Sequence, residues 1–162
     1  MNLDAPPTYP GQHATPGDLL RLAGAYRAAS SELRRLGRRG STLSRAPYRM
    51  VTIHAIELYL NAFLLARGYP PARIRGLQHD LGARMELAAG ARLALRRRTL
   101  DHLQSISQSR EYLLTRYDPG FARVSEINRL EATLAEIATK VVAALVKATE
   151  DAPAKEFCPS SA

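Results

Sequence analysis

Apolar residues recur at intervals of three and four along most of the chain, and no segment alternates apolar and polar residues as a half-buried strand would. The spacing predicts five helices. The first starts near Asp18, read as its N-cap, turns Leu19, Leu22, Tyr26, Ala29, Leu33 and Leu36 inward, and stops at Gly37. The second runs from about Pro47 to Gly68 and is apolar on most sides, so several neighbours must cover it. Pro70-Pro71 bars its continuation. The third starts between Leu77 and His79, carries Leu81, Met85 and Ala88, and weakens at Gly90. The fourth spans about Arg96 to Tyr117 and ends before Asp118-Pro119-Gly120. The fifth, from about Val124 to Glu150 with Ser125 as cap, has the cleanest seam: Ile127, Leu130, Leu134, Ile137, Val141, Leu145 and Ala148.

These elements predict an all-α fold, an up-and-down antiparallel bundle of four to five helices over residues 17–150. Residues 1–16, with four prolines, read as a flexible leader, and residues 151–162 as a disordered tail.

The second helix carries one thin polar stripe. His54, Glu57 and Asn61 are spaced i, i+3, i+7 and share a face. A carboxylate on a core helix must be paired, hydrated or used. On the fourth helix Arg110 falls within the seam Leu103, Ile106, Leu113, Tyr117, so it too should point inward and need an anion. A Glu57–Arg110 pair across the bundle follows as an expectation, either fixing helix register or lining a groove open to ligand. His79-Asp80 falls at a helix start, where Asp80 suits the positive end of the dipole. One His and one Glu on the stripe are too few ligands for a transition metal, so no metal site and no cofactor are expected.

Composition narrows the picture further. With 162 residues and 46% hydrophobic residues, the chain can build one domain with a sizeable core. The apolar runs are read as too short for a membrane span, and no basic-then-apolar signal opens the chain, so a cytoplasmic protein without membrane contact is expected. The single Cys158 excludes an internal disulfide and a cysteine-based metal site. The net charge of +8 favours acidic partners such as nucleic acid or nucleotides, although 20 of the 23 basic residues are Arg, as a GC-rich genome would also produce. Arg34, Arg35, Arg38, Arg39, Arg45 and Arg49 form a basic patch that reads either as a phosphate-tracking surface or as a solvated helix end.

Ala55-Ile56-Glu57-Leu58-Tyr59-Leu60, Ala62-Phe63-Leu64 and Gly68, then His79-Asp80-Leu81, and later Tyr112 to Asp118, resemble the HEPN superfamily (higher eukaryotes and prokaryotes nucleotide-binding) over roughly residues 45–145. The resemblance implies a helical bundle, usually dimeric, tied to nucleotide binding, RNA cleavage, or toxin–antitoxin and defence systems, with a nucleotidyltransferase-like partner in some pairs. Active members carry an Arg followed by His after four to six residues late in the bundle. Here that place reads Arg110-Glu111-Tyr112-Leu113-Leu114-Thr115-Arg116-Tyr117, with no His. Asn61 stands where many relatives carry Lys.

The expected function is therefore a non-catalytic HEPN-like binding module for a nucleotide, RNA phosphate or partner protein, its groove built from Glu57, Asn61, His79, Asp80, Arg110, Arg116 and Tyr117. Two alternatives stand beside it: a metal-independent endoribonuclease using Arg97 and His102, and a purely structural homodimer with helix four or five at the interface.

Overall fold

The most apolar stretch of the sequence becomes the central helix. In the computed structural model, which describes residues 9–120 and 123–150, all regular structure is helical, and the all-α bundle expected from the spacing is what forms. The order is α1 (Pro16–Leu36), a 3-10 turn (Leu43–Arg45), α2 (Ala46–Ala66), α3 (Pro71–Gly76), α4 (Leu81–Gly90), α5 (Arg97–Ser109), α6 (Glu111–Tyr117) and α7 (Ile127–Glu150). Residues 1–8 of the expected leader and the expected tail at 151–162 lie outside the described residues.

Helix α2 starts with Pro47 in its first turn and is covered by α1, α4, α6 and α7. Ile56, Leu60, Phe63 and Leu64 have no exposed surface. Burying each such side chain stabilises the fold by roughly 1.5–3 kcal/mol. Together with its preceding turn, Leu43–Ala66 does reach the length and hydropathy of a membrane span, contrary to the expectation from apolar run length, but 67% of that window is buried inside the bundle.

Helix α1 keeps only part of its expected face: Leu19, Tyr26 and Leu33 are half-buried against the core, while Leu22, Ala29 and Leu36 are exposed. Ala23 and Ser30 are buried, whereas Leu22 and Leu36 are 45% and 72% exposed. Small residues on the inner stripe let α1 approach α2 closely, and that outweighs the pull of two leucines. Its N-cap is Thr15 rather than Asp18. Thr15 Oγ1 accepts from Asp18 N at 3.1 Å, and the Asp18 carboxylate accepts from Thr15 N at 2.8 Å, a reciprocal capping box.

The expected fourth helix is two helices. Arg110 adopts φ 53 and ψ 37, a left-handed conformation that ends α5 and begins α6. The break shifts the phase of everything after it. Glu111 and Thr115 turn inward, while Tyr117 ends up 77% exposed. Likewise α7 begins at Ile127, not Val124, and buries Leu130, Leu134, Ile137 and Val141 as the seam predicts, leaving Ala148 exposed.

Candidate functional site

The polar stripe of α2 opens onto a cleft of about 620 Å³. His54, Glu57 and Asn61 line one wall, and His79 and Arg84 close the end beyond them. Leu19, Leu22, Leu58, Leu65 and Ile74 make the apolar walls, and Tyr9 to Ala14 lie across one side with Arg75 at the rim. Sequence spacing placed the stripe on one face; the fold leaves that face partly uncovered, with Pro71, Ile74 and Arg75 of α3 along its side.

Arg84 organises this end. It sits on the inward stripe of α4 between Leu81 and Ala88, and it is 2% exposed. Its guanidinium uses all its donors. Nε donates to Asn61 Oδ1 (2.8 Å), Nη1 to the carbonyls of Leu77 (3.3 Å) and Asp80 (3.2 Å), and Nη2 to the Gln78 carbonyl (2.5 Å) and Glu57 Oε1 (3.4 Å). Burial pushes its pKa below the usual arginine value, and the charges of Glu57 and Asp80 oppose that shift. Gln78 takes φ 48 so that its carbonyl can reach the guanidinium. The 77–80 loop is thereby wrapped around one buried cation and presents His79 to the cleft.

Glu57, 8% exposed, has two partners: Arg84 and His79 Nδ1, the latter at 3.0 Å from Oε2. The carboxylate oxygen accepts, so Nδ1 carries the hydrogen and His79 Nε2 is left as an acceptor. The His79 ring packs at a tilt 5.3 Å from the Tyr112 ring. Asn61 spends its oxygen on Arg84, which leaves its amide N–H groups for the cleft. His54 stands edge-on to Tyr26 at 4.6 Å; burial holds its pKa below the ordinary value, partly countered by Glu57.

The expected Glu57–Arg110 pair does not form. Arg110 is exposed at the helix break, and Glu57 is satisfied by Arg84 and His79 instead. Arg84, not Arg110, is the cation on an apolar seam that takes this place, and its position between Leu81 and Ala88 is the signal for it in the sequence. Of the expected groove residues, the structure gathers Glu57, Asn61 and His79 in the cleft. Asp80 is the N-cap of α4, accepting from Ala83 N (3.0 Å) and from Ser107 Oγ (2.5 Å), and faces a shallow groove between α4 and α5. Those bonds hold its carboxyl below the usual pKa. Arg110, Arg116 and Tyr117 do not line the cleft, although the charge of Arg116 is felt at His54.

A second polar cluster lies between α2, α5, α6 and α7. Arg49, counted above with the surface patch, is 5% exposed and donates to Glu111 Oε1 at 3.0 Å and to the Ser125 carbonyl at 2.5 Å. Glu111 Oε2 accepts from Ser125 N (2.9 Å) and Ser125 Oγ (2.6 Å). Because Ser125 Oγ gives its proton to Glu111, it accepts from His102 Nε2 at 2.7 Å. His102 Nδ1 then accepts from Thr133 Oγ1, also at 2.7 Å, and Thr133 accepts from Arg129 Nη2 at 3.2 Å. This polarity is the reverse of an activated serine, whose histidine must take the hydroxyl proton. Burial first, and the Arg129 charge second, lower the His102 pKa to about 4. Ser125, expected as a helix cap, serves this cluster.

Arg97 and His102 do not share a face. Five residues on a helix subtend about 140°. Arg97 is exposed and pairs with Asp101 at 2.9 Å, while His102 is enclosed. Among the described residues no group of His, Cys, Asp and Glu converges as a metal would require. Comparison of the chain with family models, with curated proteins and with solved structures gives no match.

Proposed function

We propose that the protein is a HEPN-like binding module whose cleft on α2 receives a nucleotide, with the base against Glu57 and Asn61. The observation that carries this reading is the cleft itself: an acceptor carboxylate and a donor amide one helical turn apart, held from behind by Arg84, in a space of about 620 Å³. Specific pockets for small ligands have this character, mostly apolar walls with a few fixed polar groups. A base edge that pairs a donor with an acceptor meets both groups at once, and the apolar walls take its faces. Arg75 at the rim supplies a cation for phosphate.

A binding role is favoured over RNA cleavage because Arg97 and His102 point to opposite sides of α5, and His102 is consumed in an internal relay. A homodimer and a toxin–antitoxin or defence setting belong to the same proposal. The exposed Val142 and Val146 on α7 are the apolar groups that a second copy or a nucleotidyltransferase-like partner would cover. Thermal denaturation with a panel of ribonucleoside monophosphates and diphosphates tests the ligand. Stabilisation that grows with concentration and disappears in Asn61→Leu supports the proposal. Equal, absent or Asn61-independent responses across the panel refute it.

A further inference from the structure

The end of the bundle remote from the cleft joins positive charge to exposed leucine. Residues 33–56 contain six arginines and no Asp or Glu. Arg49 is internal, and Arg34 is tied to Glu131 and Asn128. Arg38, Arg39 and Arg45 have no acidic partner among the described residues, and Arg35 has only the exposed Glu32, at 3.3 Å. Between these cations Leu36 is 72% exposed and Leu43 60% exposed, with Met50 37% exposed on the first turns of α2. Single exposed leucines are ordinary, but two protruding from one short connection among unpaired arginines are not.

The connection is held in shape. Arg38 N donates to Ser44 Oγ at 2.8 Å, and Ser41 N donates to the Arg38 carbonyl at 3.2 Å. These bonds close the loop so that Leu36, just before it, and Leu43, within it, flank the same tip. These bonds preform the tip, which lowers the ordering cost of presenting both side chains at the moment of contact.

We infer that this tip docks on an anionic phospholipid bilayer, with Leu36 and Leu43 entering the acyl boundary and Arg35, Arg38, Arg39 and Arg45 meeting the headgroup phosphates. Charge complementarity selects an anionic partner, and the leucines select lipid over nucleic acid. An RNA surface rewards cations and stacking aromatics, and the tip has no exposed aromatic ring. A bilayer rewards an apolar group that projects beyond a cationic collar. At the rise of an α-helix, the nearest cleft residues lie about 21 Å from the tip along α1 (Leu22) and about 12 Å from the start of α2 (His54), so both surfaces can be occupied together. The inference does not rest on the nucleotide reading.

Co-sedimentation of the full chain with phosphatidylcholine vesicles, with and without phosphatidylserine, is the test. Binding is expected only with phosphatidylserine and should weaken with salt. It should fall about fivefold for each arginine removed in Arg38→Gln and Arg39→Gln. Leu36→Ser with Leu43→Ser should lower it about tenfold or more, with the circular dichroism spectrum of the bundle retained. Equal binding to neutral vesicles overturns the inference, as does binding that is indifferent to the leucines. Absence of binding to either vesicle overturns it as well. So does tight binding of single-stranded RNA that survives the leucine changes and displaces the vesicles, because the tip would then be a nucleic-acid surface.

Discussion

Glu57 Oε2 lies 3.0 Å from His79 Nδ1, across 22 residues of chain, and Arg84 fastens the same carboxylate from the opposite side. The three side chains form one unit: Arg84 satisfies the 77–80 loop, Glu57 joins the loop to α2, and His79 faces the cleft. Removing the cation should therefore unlock the loop as well as the ion pair. Arg84→Ala leaves Glu57 short of a partner and the Gln78 carbonyl without a donor, and leaves the carbonyls of Leu77 and Asp80 only the backbone N–H groups of Asp80 and residue 84. Loss of one member of a buried pair costs roughly 3–5 kcal/mol. Urea unfolding should show a loss of that size, and a loss below about 1 kcal/mol would place the contribution of Arg84 among exposed pairs.

Arg110 should behave in the opposite way. Its side chain is exposed and only its left-handed backbone matters. Arg110→Gly should be neutral or stabilising, by up to about 1 kcal/mol, because glycine adopts φ 53 without strain. Arg110→Val should destabilise by about 1–2 kcal/mol, since a β-branched residue resists that conformation. Equal stability of both variants would mean that the break is held by packing rather than by this residue.

These two arginines show what was legible in the chain. The all-α class, the covered α2 and the seam of α7 follow from apolar spacing, because helix burial depends on period alone. The cleft stripe follows as well, since Glu57 and Asn61 stand four apart on one helix. The partners did not follow. A left-handed residue at Arg110, with no glycine to mark it, rotates α6 and turns Glu111 inward as the anion for Arg49. The anion for Arg84 sits on another helix, and only tertiary structure decides which buried cation meets which carboxylate. Arg84 was nonetheless visible as an arginine between Leu81 and Ala88.

His102 gives the bundle a defined pH response. Its folded pKa, about 4, lies below the ordinary 6.5, so the neutral form is the one favoured by folding. The stability it contributes is fully present above pH 6.5 and is lost as pH falls from there through about 4. The shift corresponds to about 3 kcal/mol at most. His54, lowered in the same direction, adds a contribution that is likewise lost as pH falls below 6.5. Asp18, Asp80 and Glu136 have lowered carboxyl pKa values, so their contribution is present above the ordinary values of 3.8, 3.8 and 4.5 and is lost as pH falls below them. Denaturant midpoints measured from pH 7.5 down to pH 4 should decline steadily, and His102→Gln should flatten most of the slope. An unchanged slope in that variant would assign the decline elsewhere.

Tyr9 carries the Arg75 guanidinium 4.4 Å from its ring centroid, and the turn that follows it lines the cleft. That contact should slow access to the cleft histidines. Acylation of His54 and His79 by diethyl pyrocarbonate, read by peptide mass, should quicken about two- to five-fold in Tyr9→Ala, the range of an exposed cation–π contact. Tyr9→Phe keeps the ring and should match the parent chain. His13, exposed, and His102, enclosed, supply fast and slow references within the same molecule. Identical rates in Tyr9→Ala would show that the turn does not cover the cleft.

The cleft reading is tested most directly by the imidazole nitrogen resonances of the four histidines, recorded by NMR as guanosine or adenosine monophosphate is added. The account predicts saturable shifts at His79 and His54, whose rings line the cleft, with His102 and His13 unmoved, and their loss in Asn61→Leu. Shifts at His102, or none at His79 at saturating nucleotide, would contradict it.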